Sequence, residues 1–383
     1  MCATRSRSPR HTAAWWWNGS SKTAIPCHRA NPCYACTRSV DPHLRRRRPM
    51  STPLRSAKGH PHARIMGVAG YRPDRVVTNA EVCERIDSTD EWIQERSGIV
   101  ERRYAAPDQT VCDLAYLAAE RALVAAGVSP TEIGTVIVAT VTHPYPTPSA
   151  AAEIAYRLGT NKAAAFDISA ACAGFCYGLA LAQDLVRGGS AEHVLVIGVE
   201  KLTDWIDLDD RSTAFIFADG AGAAVVGPSD EPAIGPVVWG SDGEQYDAIT
   251  MTQSLIDYRD NGGERFPTLS MQGQQVFRWA VAHMAKTATQ SLEAAGVTAD
   301  DLDAFIPHQA NMRITDAMIR ALKLPEHVPV ARDIATTGNT SAASIPIAMD
   351  RMLSTGEVPH GGLALLIGFG AGLSYASQVV RLP

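Results

Sequence analysis

Short, unbroken apolar runs alternate along this chain with stretches whose apolar positions recur every three or four residues, from Arg64 to the C-terminus. The runs VIVAT (136–140), AFDIS (165–169), HVLVIGV (193–199), AAVVG (223–227), AFIPH (304–308) and LALLIGF (363–369) read as buried strands. Between them, CDLAYLAAERALVAAG and VFRWAVAHMAKTATQSLEAAG carry the helical period and end in glycine, which stops a helix by taking the left-handed conformation. Strands alternating with helices predict an α/β protein.

The two helices expose a repeat. A shift of 169 residues lays AAGVSPTEIGTVI (125–137) over AAGVTADDLDAFI (294–306), each preceded by a long helical stretch and ending in a buried strand. An internally duplicated helix–strand unit follows. The expected halves are residues 64–230 and 231–383, with a site where strand ends meet between them.

Residues 1–49 follow neither period. The first fifty residues carry a net +9, which leaves −14 on the remaining 333 and −5 on the chain. An acidic body argues against nucleic acid as the main ligand. Three readings compete for the leading segment: an Arg- and Ser-rich transit-like peptide, a zinc knuckle from Cys27, His28, Cys33 and Cys36, and an over-long start preceding the true one at Met50. The spacings fit no common zinc finger, and a start at Met50 explains the abrupt compositional change most simply, so this segment is excluded from the fold as a disordered extension or mis-called start. The body's four cysteines, Cys83, Cys112, Cys172 and Cys176, suggest no disulfide framework and read as those of a reduced, cytoplasmic protein. Its longest weakly polar run, LALLIGFGAGLSYA (363–376), is broken by glycines and falls short of the about 20 residues that span a bilayer.

Cys172 stands just beyond AFDIS, where Phe175, Leu179, Ala182 and Val186 begin a helical period. A helix N-terminus favours a thiolate, the form of cysteine that attacks. The small neighbours Ala170, Ala171, Ala173 and Gly174 let a substrate carbonyl approach the backbone, where the Cys172 N–H would steady an oxyanion. The alternative is a small apolar residue in a tight core, and that reading fits Cys176, one turn further on. His308 follows the strand that corresponds to VIVAT in the repeat, so it is expected at a strand end. Asn339 lies in a Thr/Gly/Ser-rich turn before a helical run and reads on its own as an N-cap or Asx turn. The turn Gly370-Ala371-Gly372 lets backbone approach a ligand without forming a dinucleotide loop.

Together, DISAACAGFCYGL, IPHQANMRI and TTGNTSAASIPIAM closely resemble the Cys, His and Asn motifs of β-ketoacyl-acyl-carrier-protein synthase III, the family of condensing enzymes that starts type II fatty acid synthesis. The order fits, as do the separations of 136 and 31 residues, and the similarity includes DEWIQERSGI and GFGAG within about Arg64 to Pro383. The resemblance implies a thiolase-like duplicated five-layered αβαβα architecture. It implies that Cys172 takes an acyl group from coenzyme A, that His308 and Asn339 bind the thioester of malonyl-acyl-carrier protein during decarboxylation, and that the backbone N–H groups of Cys172 and Ala371 hold the oxyanion. It further implies that Trp92, Arg96 and Arg211 bind coenzyme A, that Asn311 lines the pantetheine tunnel, and that Arg278, Arg313 and Arg320 receive the carrier protein. Thr147 falls where some relatives carry phenylalanine in the acyl pocket, so branched or longer starters are expected. No permanently bound cofactor or metal is expected, only acyl-CoA as substrate, in a homodimer whose Thr147 segment reaches toward the partner's pocket.

Other enzymes share parts of this arrangement. Acyl transfer to another acceptor, or the priming of a polyketide, would use the same acyl-cysteine, but the complete His308/Asn339 pair points to decarboxylation. A thiolase would want a second cysteine toward the C-terminus, and none follows Cys176. An inactive partner subunit of this fold would lack the nucleophile.

Overall fold

Two sheets hold all six of the anticipated strands, five of them buried as expected, while Ala164–Ile168, also read as buried, is partly exposed because it lies at a sheet edge. In the computed structural model, which describes residues 54–160 and 162–383, strands His62–Tyr71, Asp219–Ser229, His193–Lys201, Ile133–Ala139 and Ala164–Ile168 lie side by side in that order. The first three neighbours pair antiparallel and the last three parallel. The second sheet runs Ala304–Pro307, Leu363–Gly370, Ser374–Arg381, Val238–Gly240, parallel at the first pairing and antiparallel thereafter. A single parallel bridge from Phe305 to Val330 occupies the place that Ala164–Ile168 takes beside Ile133–Ala139. The expectations for residues 1–49 lie outside the described residues.

The aligned segments adopt the same local structure. Helix Val111–Ala126 stops at Gly127 and helix Gly273–Ala295 at Gly296, both glycines left-handed. Each then turns into its strand through the same capping box, Ser129 with Glu132 and Thr298 with Asp301.

Five layers result. Helices Val111–Ala126 and Ala150–Leu158 cover the outer face of the first sheet, Gly174–Gly188 and Ser344–Ser354 lie between the sheets, and Gly273–Ala295 with Met312–Leu322 covers the second. Ser56–Pro383 is one compact unit built around these layers. Burial of alanine and β-branched side chains in the middle layer, against both sheets, supplies much of the hydrophobic driving force.

Both inner helices begin with the same uncommon turn. The 3-10 turn Ala171–Ala173 precedes Gly174–Gly188, and Ser341–Ala343 precedes Ser344–Ser354. Their first residues, Ala171 at φ 46° and Ser341 at φ 50°, occupy the left-handed region that side chains other than glycine's disfavour. The turns pack against each other at the centre of the molecule. Strain of this kind collects where the surrounding structure holds a functional group in place. Beside them, the fully buried Arg102 donates to Asn79 Oδ1 (2.7 Å) and to the Phe215 (2.9 Å) and Val77 (3.3 Å) carbonyls, fastening one wall of the central cavity.

Candidate active site

A cavity of about 720 Å³ reaches from the protein surface to the paired turns. Cys172, His308 and Asn339, distant in sequence, all line it, together with Phe369, Gly370 and Ala371. The strand end Ala304–Pro307 delivers His308, whose N–H donates to the Ile367 carbonyl at 2.7 Å. Asn339 is clamped to the facing segment, its N–H on the Ile216 carbonyl and its own carbonyl on the Ala218 N–H, both at 2.9 Å. The Asx turn read from sequence is present: Asn339 Oδ1 accepts from the Ser341 N–H at 2.8 Å. That bond fixes which amide atom is which, and no hydrogen bond among the described residues engages Nδ2, which is left for a ligand.

His308 is held just as firmly. Its Nδ1 meets Ser344 Oγ at 2.7 Å, and that oxygen also accepts from the Gln309 N–H at 3.3 Å. The Ser344 hydroxyl, which has a proton to donate as well as lone pairs to accept with, can give that proton to Nδ1, and in that arrangement the neutral ring carries its N–H on Nε2. Burial pushes the imidazole pKa down to about 3, which keeps it neutral across the physiological range. The site thus presents two neutral donors, Nε2–H and an amide.

Cys172 sits in the 3-10 turn two residues before Gly174, the first residue of helix Gly174–Gly188, near the helix N-terminus as expected. The thiolate expected from that position is not its resting form. Burial, with the Glu200 charge adding to it and the Ser341 hydrogen bond opposing it, pushes the thiol up to about 12. Only the cavity side of the residue is open; dense packing elsewhere outweighs the helix end, and the proton must leave as the sulfur attacks.

The other positions sort by distance from this floor. Trp92 and Arg96, both on helix Asp90–Ser97, and Arg211 line the cavity wall; Arg211 lies 4.6 Å and Arg96 5.8 Å from the Trp92 ring centroid. Asn311 lines it too, but its side chain is already engaged, capping helix Met312–Leu322 through the Arg313 N–H (2.9 Å) and donating to the Arg96 carbonyl (2.9 Å). Arg278 and Arg313 stand exposed at the rim, Arg313 over Phe277, while Arg320 lies two turns further along the same helix, outside the cavity lining. Thr147 is exposed on the loop 140–149 and does not line the cavity of its own chain.

Sequence reading missed Glu200, Ser341 and Ser344. Glu200 is fully buried, and its signal was present: a carboxylate ending the apolar strand HVLVIGVE has to find partners inside the protein. Nothing in the sequence marked the two serines among many. Among the described residues no group of three or more His, Cys, Asp or Glu is placed to hold a metal ion, and no helix is long and apolar enough to cross a membrane.

Comparison with known proteins agrees with this geometry. Residues 166–243 match the family described as 3-oxoacyl-[acyl-carrier-protein (ACP)] synthase III, and residues 292–382 match its C-terminal part. A β-ketoacyl-[acyl-carrier-protein] synthase III of Streptomyces glaucescens is 61% identical over 330 residues, covering 86% of this chain and 99% of the relative. Among solved structures, the priming β-ketosynthase of the R1128 polyketide biosynthetic pathway has a TM-score of 0.85 at 52% identity, over 87% of this chain and 99% of that one. The 3-oxoacyl-[acyl-carrier-protein] synthase III of Aquifex aeolicus VF5 has 0.76 at 38%, over 83% and 99%. Fold and site together define a condensing enzyme of the thiolase type. The chain belongs to the β-ketoacyl-acyl-carrier-protein synthase III family and is an acyltransferase of fatty acid biosynthesis.

Proposed function

We propose that the enzyme joins an acyl-CoA starter to malonyl-acyl-carrier protein in two half-reactions carried by Cys172, His308 and Asn339. In the first, Cys172 sulfur attacks the acyl-CoA carbonyl, the N–H groups of Cys172 and Ala371 hold the oxyanion, and the C–S bond to coenzyme A breaks. In the second, the malonyl thioester oxygen accepts from His308 Nε2–H and Asn339 Nδ2–H. Carbon dioxide leaves with its bonding pair retained as an enolate, which attacks the acyl-Cys172 carbonyl and expels the cysteine sulfur. The product is 3-oxoacyl-acyl-carrier protein. The observation that carries this reading is the single cavity shared by Cys172 and two neutral donors.

Trp92, Arg96 and Arg211 would hold the nucleotide end of coenzyme A, Arg211 swinging from the indole face to admit adenine. Asn311 would shape the pantetheine tunnel through its backbone ties. Arg278, Arg313 and Arg320 would meet the acidic carrier protein on neighbouring helices. We take residues 64–230 and 231–383 as the two thiolase-like halves, the first supplying the nucleophile and the second the donor pair. No permanently bound cofactor is required, and the reduced thiol suits the cytoplasm.

Strand Ala164–Ile168 is an open sheet edge with Phe166 37% exposed, which supports a homodimer that continues the sheet and carries the Thr147 loop to the partner's pocket. Gel filtration with light scattering should give twice the chain mass, and a monomer at micromolar concentration would remove this reading.

Intact-mass analysis after incubation with acyl-CoA should show one acyl adduct on Cys172, discharged to 3-oxoacyl product by malonyl-acyl-carrier protein. With threonine at position 147, isobutyryl-CoA should outpace acetyl-CoA; equal or faster acetyl turnover would sink that preference. Acylation without discharge would mean another acceptor. The R1128 priming ketosynthase favours one second reading, a starter enzyme of polyketide synthesis, distinguished by which carrier protein discharges the adduct faster.

A further inference from the structure

Behind the nucleophile lies a buried row of polar groups, hydrogen-bonded from Ser341 to Glu200 and on to Thr140 and Thr142, that the two half-reactions above leave unused. Cys172 and Ser341 line the same cavity floor on turns that pack against each other, the Ser341 hydroxyl favours ionisation of the thiol, and Ser341 Oγ donates to Glu200 Oε1 at 3.1 Å. The far oxygen, Oε2, accepts from Thr142 Oγ1 (2.7 Å), the Val141 N–H (3.1 Å) and Thr140 Oγ1 (3.2 Å). Three donors on Oε2 leave Oε1 as the oxygen that takes a proton, and its one partner there is Ser341. The path is therefore directed: carboxylate, hydroxyl, sulfur.

The fold goes to some trouble to close it. Ser341 holds φ 50°, and the turn it begins lies so close on strand His193–Lys201 that a Cβ at Gly198 would stand 2.2 Å from the Ala342 carbonyl oxygen. Facing Glu200 from each neighbouring element are Thr140 and Thr142, Gly220 across the antiparallel pairing, Ser341 and Cys172. Lys201 and Asp219, the next pair along those strands, are bound elsewhere: Lys201 Nζ to the Pro107 carbonyl and Asp204, Asp219 to Thr203 and the Ala105 N–H. Among the described residues no cation neutralises Glu200.

We propose that Glu200, acting through Ser341, takes the Cys172 proton during acylation and returns it when condensation frees the sulfur. As Cys172 sulfur bonds to the acyl carbon, its proton passes to Ser341 Oγ while the Ser341 proton passes to Glu200 Oε1. Coenzyme A departs as a thiolate and is protonated by solvent. Glu200 stays neutral through the life of the acyl-enzyme. When the enolate expels Cys172 as a thiolate, the same two transfers run backwards and restore the resting thiol, so one solvent proton is consumed per turnover. Glu200 lies behind the cavity lining, and both residues act through the Cys172 sulfur. Burial pushes the Glu200 pKa up to about 7, so near neutrality it both accepts and returns a proton, whereas the His308 ring is too weak a base for this task.

The inference rests on Cys172 being the nucleophile, and the experiment separates the two. Alkylation by iodoacetamide, followed from pH 5.5 to 9 with peptide mapping, reports both the reacting cysteine and its proton acceptor. Modification of a cysteine other than Cys172 would overturn the nucleophile reading itself. With Cys172 modified, the wild-type rate should rise through an inflection near pH 7 as Glu200 becomes able to accept. Glu200→Gln and Ser341→Ala should each remove that inflection and slow the reaction at pH 7 at least tenfold, and the double variant should be no slower than either, because both break one path. Acylation of the wild type should also raise an infrared carboxylic-acid band that Glu200→Gln lacks. A retained inflection in either variant, or additive losses in the double variant, overturns the proposal. Ser341→Ala leaves the three donors on Oε2 intact, so it decides the matter should Glu200→Gln fold poorly.

Discussion

Gly370→Ala is expected to leave the protein folded and slow acylation of Cys172 by about two orders of magnitude or more, the scale of loss that follows a displacement near 1 Å at a reacting atom. Gly370 has φ −170° and ψ −152°, an extended conformation that alanine adopts, so the substitution acts through contact and not through backbone strain. Its Cβ would stand 2.6 Å from Cys172 N and 3.0 Å from both Cys172 Cβ and Sγ. The sulfur can rotate away; the backbone nitrogen cannot, because it belongs to the turn begun by Ala171 at φ 46° and packed on the matching turn at Ser341. The same shift moves one oxyanion donor against the other, since Gly370 directly precedes Ala371. Gly188→Ala is the control, with nothing within 4 Å of its Cβ and no positive φ. Acyl-enzyme formation followed by quenched intact mass, alongside thermal unfolding, measures both. A near-wild-type rate in Gly370→Ala would show that the turn yields, and would remove the argument that the glycine sets the nucleophile's position.

The layers of this fold were legible because five of the six strands read from sequence are buried on both faces, the exception being the half-exposed edge strand Ala164–Ile168. A run such as HVLVIGV admits no polar alternation, and the glycine stops after each long helix mark where the chain turns back to the sheet. The capping boxes at Ser129 and Thr298 lay inside the very segments whose similarity revealed the repeat. The site was legible for a different reason, since Cys172, His308 and Asn339 each sit in a motif long enough to resemble a family. What local sequence does not encode is desolvation. The helix end beside Cys172 pointed to a thiolate, yet the thiol's surroundings are set by residues 341 and 200 and by the close pass of Gly370, all far away in the chain. Asn311 repeats the lesson on a smaller scale: its side chain is spent on a local helix cap and on the Arg96 carbonyl, the latter a contact that joins residues 215 positions apart.

That division between motif and environment bears on the second half-reaction. His308→Ala and Asn339→Ala are expected to accept the acyl group from acyl-CoA and then fail to condense it, each losing roughly 10²- to 10³-fold, the usual cost of one donor to a developing oxyanion. Each removes a neutral hydrogen-bond donor that acts only when the malonyl thioester becomes an enolate, so the loss belongs in the decarboxylation rate and not in acylation. Decarboxylation of malonyl-acyl-carrier protein by the pre-acylated enzyme, against acylation measured separately, makes the split visible. A His308→Ala enzyme that condensed at the wild-type rate would remove the donor role. The pH dependence supplies an independent check on the neutral ring. Because burial holds the His308 pKa at about 3, below its ordinary value, the imidazole binds a proton only under strongly acidic conditions, and wild-type decarboxylation should show no fall centred near pH 6.5 from this group. The same displacement has a sign for stability. Below pH 6.5 the unfolded chain takes up a proton that the native site refuses, so the stabilisation present above that pH is lost as pH falls toward 3, by about 5 kcal/mol at the end of the range. His308→Ala, which lacks that penalty, should therefore lose stability less steeply than the wild type between pH 6 and 4. Parallel slopes in the two proteins would mean that the ring is solvated enough to titrate normally, and its place as a neutral donor would fall with that result.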